Sequence, residues 1–215
     1  MLISQLFSDP IQTVIVLVAF LVALSVHEAS HALAAFVLGD KTAYHEKRLT
    51  LNPLSHIDWT GFLMLVVVGF GWGKPVPFNP YNLKWQRVGP TLVAAAGPAS
   101  NLLLALLAVF LLSLVTPALA STNGLVLFLF LLALMSLVLG IFNLIPLPPL
   151  DGSKALLALL AHPRHAKTRQ WLETRGPFVL LAIVLAGTVL NINVLGWIDP
   201  LARSILLIFA GWFGV

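Results

Sequence analysis

The chain is a succession of long apolar runs separated by short segments that gather most of its charge. Three runs, residues 11–38, 90–115 and 125–145, are long enough for a helix to cross the roughly 30 Å hydrocarbon layer of a bilayer. Two further runs are weaker: 177–190 is short, and 194–215 is interrupted by Asp199, Pro200 and Arg203. Residues 59–70 are apolar as well, but too few for an untilted helical crossing. The pattern predicts an all-α polytopic membrane protein of about five transmembrane helices, with a short re-entrant hairpin or loop near residues 59–80.

The basic residues decide how the short stretch is read. Lys41, Lys47 and Arg48 precede it, and Lys74, Lys84 and Arg87 follow it. A crossing would put these two clusters on opposite faces of the membrane, whereas a dip and return keeps them together on the inner one, as the positive-inside bias favours. On that assignment the uncharged segment 116–124 lies outside with the N-terminus, and 151–176, carrying Lys154, Arg164, Lys167, Arg169 and Arg175, lies inside. Only Arg203 is left without an inner loop. Gly61, Gly69, Gly71, Gly73, Pro75, Pro77 and Pro80 break up the short segment, with Val66, Val67 and Val68 strand-prone in its middle. Irregular backbone is tolerated at membrane depth only where protein or a water-filled cavity satisfies it. A hairpin packed on neighbouring helices and a plain interfacial loop both meet that condition.

Composition confirms the compartment and narrows the chemistry. Hydrophobic residues make up 59% of the chain and charged ones 9%, with a mean hydropathy of +0.98, where a soluble domain carries about 25% charge. No separate polar region is visible, so residues 1–215 read as a single integral membrane domain. The first ten residues lack a basic leader and a cleavage site, and the first apolar run reads as a retained span. A net charge of +4 and a pI near 9.8 invite a nucleic-acid reading, but the basic residues are scattered between spans without interleaved aromatics, and they read as topology. Cysteine is absent, which excludes disulfides and thiolate ligands.

Against this background His27, Glu28 and His31 stand out, three ionisable groups inside an otherwise apolar run. Ionisable residues at membrane depth are costly and point to function. At about 100° per residue, positions four apart lie one turn above each other, so His27 and His31 can aim two imidazoles at one metal ion. Glu28 is placed to reach a water at that metal without ligating it, the arrangement of a general base. The alternative is a pair of packing histidines hydrogen-bonded to neighbouring helices.

A catalytic zinc takes three protein ligands and leaves one position open. The acids on the inner side are Asp40, Glu46, Asp58, Asp151 and Glu173. Asp151 fits best: Pro146, Pro148 and Pro149 stop the preceding helix, and Gly152 permits a tight turn. An ordinary N-cap of a helix starting near Ser153 would use the same residue type.

Here the chain resembles a known family. His27-Glu28-Ala29-Ser30-His31 on a membrane helix, followed at a distance by Asn143-x-x-Pro146-x-Pro148-x-Leu150-Asp151-Gly152, is similar to the site-2 proteases, intramembrane zinc metalloproteases. The segments Leu49-Thr-Leu-Asn52-Pro53-x-x-His56-Ile-Asp58, Lys74-Pro-Val-Pro77-x-Asn79-Pro80 and Gly97-Pro98-x-x-Asn101 resemble its compact bacterial and archaeal members, without the PDZ-like or regulatory domains others carry. The resemblance implies one Zn2+ per chain bound by His27, His31 and Asp151, with Glu28 activating water and Asn143 polarising the scissile carbonyl. It implies as substrate a transmembrane helix of another protein, cut in or near the bilayer. It also implies a location in the plasma membrane of a prokaryote, with the active site toward the cytoplasm. The alternative for Asn143 is an interhelical hydrogen bond, and Asn101 reads as packing between helices with at most a role in placing substrate. His56 reads as a solvated loop residue, or one near the mouth of the site. The competing function is a zinc-binding membrane protein without proteolysis, a transporter or an inactive scaffold. Against it, no internal repeat is visible, and a scaffold has no use for Glu28.

Overall fold

The computed structural model describes residues 9–68, 71–190, 192 and 194–215. Helix α1, Pro10–Val37, begins at Asp9, whose carboxylate accepts from Gln12 N at 3.0 Å, with Pro10 pre-set in the first turn. It ends in a Schellman motif. Gly39 adopts φ +109°, and the N–H groups of Gly39 and Asp40 return to the carbonyls of Phe36 and Ala35 at 3.0 and 2.9 Å.

The next long apolar segment forms α2, Trp59–Val68. Asp58 caps it, accepting from Gly61 N at 2.9 Å and from the Thr60 hydroxyl. The chain then returns to its starting point: Ile57 and Gly73 form an antiparallel bridge, and Lys74 N donates to His56 O at 2.8 Å. Gly61 and Gly71 make the return possible, since a Cβ on either would collide with the opposing backbone. The segment is therefore a helical hairpin. It lies against Phe20, Leu21 and Leu24 of α1, so of the two readings left open by the sequence the packed hairpin is the one observed. Val66, Val67 and Val68 are helical and not extended; a capped start and a continuous apolar run outweigh a weak β-preference.

Helices α3, Gly89–Val115, and α4, Gly124–Asn143, pack on α1 and on each other. Their contact is lined by Ala19, Ala23, Ala105, Ala108 and Ala133, all essentially inaccessible, and small residues here let the backbones approach closely. A short α5, Gly152–Leu159, follows the proline-rich loop; α6 spans Ala166–Val189 and α7 Ile198–Phe213, the last packing on α3 and α4. Among the described residues there is no β-sheet, and α1, α3 and α4 are long and apolar enough to cross a membrane. The protein is an all-α membrane protein. The weaker expected runs differ in their limits. Helix α6 starts well before residue 177, because a polar first half, with an Arg169–Glu173 pair at i,i+4, is as good a helix as the apolar second half. Helix α7 starts at Ile198, not at 194.

Candidate metal centre

Three side chains from two distant parts of the chain meet where α1 faces α3. His27 and His31 lie one turn apart with ring centroids 4.6 Å from each other, both buried. Asp151 Oδ2 approaches His27 Nε2 at 3.0 Å and His31 Nε2 at 3.2 Å. Asp151 stands at the N-cap position of α5, yet its side chain makes no capping hydrogen bond. The carboxylate forgoes the bond its position offers and turns to the histidines.

The far side of each ring is fixed as well. His31 Nδ1 lies 2.7 Å from Val93 O, a carbonyl that can only accept, so Nδ1 carries the proton and Nε2 faces Asp151. His27 Nδ1 lies 2.5 Å from Asn101 Oδ1, and Asn101 Nδ2 donates to Ala23 O at 3.3 Å.

The residues present fit a metal ion on two grounds. Two imidazole nitrogens and a carboxylate oxygen lie within 4.8 Å of one another, a donor set suited to zinc. The space beside them depends on a missing side chain: a Cβ on Gly97 of α3 would lie 2.5 Å from His31 Nε2 and 2.6 Å from His27 Nε2. Only a glycine leaves the two Nε2 atoms clear.

Glu28 is half-buried outside this cluster, and the charged groups its carboxylate acts on are His31 and Arg48. Asn143, at the end of α4, donates from Nδ2 to Leu139 O at 3.0 Å, one turn back in its own helix, which leaves its second N–H for another acceptor. His56 is not a solvated loop residue but fully buried: Nε2 meets Thr50 O at 2.8 Å, and Nδ1 faces Arg48 Nη2 at 3.5 Å. Arg48 is itself 4% exposed and donates from Nη2 to Lys74 O at 2.5 Å. Sequence reasoning missed Arg48 and undervalued Asn101. The Asn101 signal was available: it lies four residues after the glycine that admits the histidines, on the same face of α3.

Comparisons with known proteins bear on the family. Residues 112–187 match the model of peptidase family M50. Several similar curated proteins carry the name "Putative zinc metalloprotease". YwhC of Bacillus subtilis is 40% identical over 171 residues, covering 77% of this chain and 78% of the relative. Rip2 of Mycolicibacterium smegmatis is 32% identical over 186 residues, covering 83% and 69%. The chain belongs to peptidase family M50, the site-2 protease family. Rip2 of Mycobacterium tuberculosis, 34% identical over 191 residues and covering 86% of this chain and 70% of its own, is a further relative of this M50 protein. No solved structure matches the chain.

Proposed function

We propose that this M50 protein is an intramembrane zinc endopeptidase that hydrolyses peptide bonds in or near transmembrane helices of other membrane proteins, as in regulated intramembrane proteolysis. One observation carries the reading: His27 and His31 stand on a helix long and apolar enough to span a membrane, and Asp151 meets them there beside a glycine that keeps their Nε2 atoms clear. One zinc is held per chain by these three residues. Zinc held there would supply Lewis acidity to the scissile carbonyl and would make an attacking water easier to ionise near neutral pH. Glu28 takes the proton from that water and later delivers it to the leaving amine. Asn143 donates its free N–H to the carbonyl oxygen as negative charge develops there. A substrate helix must unwind locally to expose its carbonyls, so helix-weakening residues mark the cut. The protein resides in the plasma membrane of a prokaryote with its site toward the cytoplasm, because that orientation places Lys47, Lys84 and the basic start of α6 together on the inner side.

The test is cleavage of a single-span substrate by the purified zinc-loaded protein in lipid. Glu28→Gln should retain zinc and lose measurable cleavage. Zinc binding with no cleavage by the wild type would favour a non-proteolytic zinc protein instead. Single cysteines at positions 47 and 84, introduced into this cysteine-free chain, should label from the same side of the membrane; opposite labelling would sink the orientation.

A further inference from the structure

We infer that Asn101 is a positioning residue for the metal centre, whose side-chain oxygen holds the His27 imidazole in the tautomer and orientation that present Nε2 to zinc. The inference rests on the zinc site proposed above. The two ends of the Asn101 amide are distinguished by their partners. Ala23 O can only accept, so the amide nitrogen lies at that contact, 3.3 Å away, and the amide oxygen must be the atom 2.5 Å from His27 Nδ1. That oxygen can only accept in turn, which places the imidazole proton on Nδ1 and leaves the Nε2 lone pair facing Asp151 Oδ2 at 3.0 Å. His31 receives the same treatment from the Val93 main-chain carbonyl, which no side-chain substitution removes. Asn101 is thus the replaceable member of the pair.

Its surroundings hold it to that task. Asn101 is 0% exposed, one turn beyond Gly97 on α3, and Gly140 of α4 makes room for it: a Cβ on Gly140 would lie 3.3 Å from that of Asn101. A residue serving only to tie α3 to α1 would need its donor to Ala23. The acceptor aimed at a metal-ligating ring is the additional feature, and partners of this kind are worth about ten- to a hundredfold in metal affinity.

The two roles separate in one substitution. Asn101→Asp keeps an oxygen acceptor for His27 and loses the donor to Ala23; Asn101→Leu, of similar size, loses both. Zinc affinity is read by competition with a chelator, and the His27 tautomer by nitrogen NMR of labelled imidazole. Asn101→Asp should hold zinc within a few-fold of wild type with Nδ1 protonated, while Asn101→Leu should weaken zinc roughly ten- to a hundredfold. If Leu does not fold, Asn101→Ser, too short to reach the ring, is expected to weaken zinc by the same factor. An Asp variant as weak as the Leu or Ser variant would assign Asn101 to helix packing and overturn the inference, as would a Leu or Ser variant that binds zinc normally. Because the readout is zinc, a wild type that binds zinc but cleaves nothing refutes the peptidase reading alone. A wild type that holds no zinc refutes both.

Discussion

Two carboxylates, the fully buried Asp40 and the half-buried Asp151, have opposite surroundings. Asp40 follows α1 directly, is 0% exposed, and is saturated by fixed donors: Thr42 Oγ1 at 2.6 Å, Asn79 N at 2.7 Å, Asn82 Nδ2 at 3.1 Å and Thr42 N at 3.2 Å. Burial pushes its pKa up, and these four hydrogen bonds outweigh burial and hold it below the ordinary carboxylate value. Asp151 declines the N–H groups of its own helix and faces two imidazole nitrogens. A carboxylate surrounded by N–H and O–H donors is a strut, complete within the protein. One set against the lone-pair ends of two rings is completed by a cation.

Substitutions at the two acids should separate these roles most sharply. Asp151→Ala is expected to lower bound zinc from about one per chain to near none and to abolish cleavage, since three ligands are the usual complement of a catalytic zinc. Unchanged stoichiometry by metal analysis would remove Asp151 from the ligand set. Gly97→Ala comes next: the new Cβ occupies the space beside both Nε2 atoms, so zinc affinity should fall steeply while the helical content seen by circular dichroism stays. Asn143→Ala should keep zinc and slow cleavage by about a hundred- to a thousandfold, the usual effect of one lost oxyanion donor, with KM little changed. Asp40→Asn is expected to leave zinc and the chemical step intact and to cost about 1–3 kcal/mol of stability, because an amide N–H then opposes the donors that faced the carboxylate; zinc loss in this variant would break the contrast. The smallest effect is in pH. With its folded pKa below the unfolded one, Asp40 contributes stability that is fully present above about pH 4 and is lost as pH falls through the folded value. Asp40→Asn should flatten that acid limb of a thermal-melting profile.

The same contrast explains what was legible in the sequence. His27 and His31 are readable because a helix converts a spacing of four into proximity without help from the rest of the fold. Asp151 was found because prolines and a glycine mark where the chain stops being helical, although its rotation away from a capping role is visible only in three dimensions. The five long helices follow from apolar runs, and the early start of α6 escaped because its first half is polar. Asn101, His56 and Arg48 were undervalued for one reason: their burial is created by closures between segments far apart. Asn101 is sealed by α1 and by Gly140 of α4, and Arg48 and His56 by the return of the hairpin through Gly73 and Lys74. No local pattern records such closures. Asp40 is the same case, since its donors come from Asn79 and Asn82 as well as from Thr42.

The contact at Gly152 carries a mechanical consequence. A Cβ there would collide with the carbonyls of Leu144 and Ile145, so the start of α5 is seated directly on the end of α4. Asp151 is thereby held against the turn that follows α4, on a helix that also packs on α3, while both histidines belong to α1. A load that separated the turn after α4 from α1 would therefore act directly on the distances between Asp151 and the two histidines.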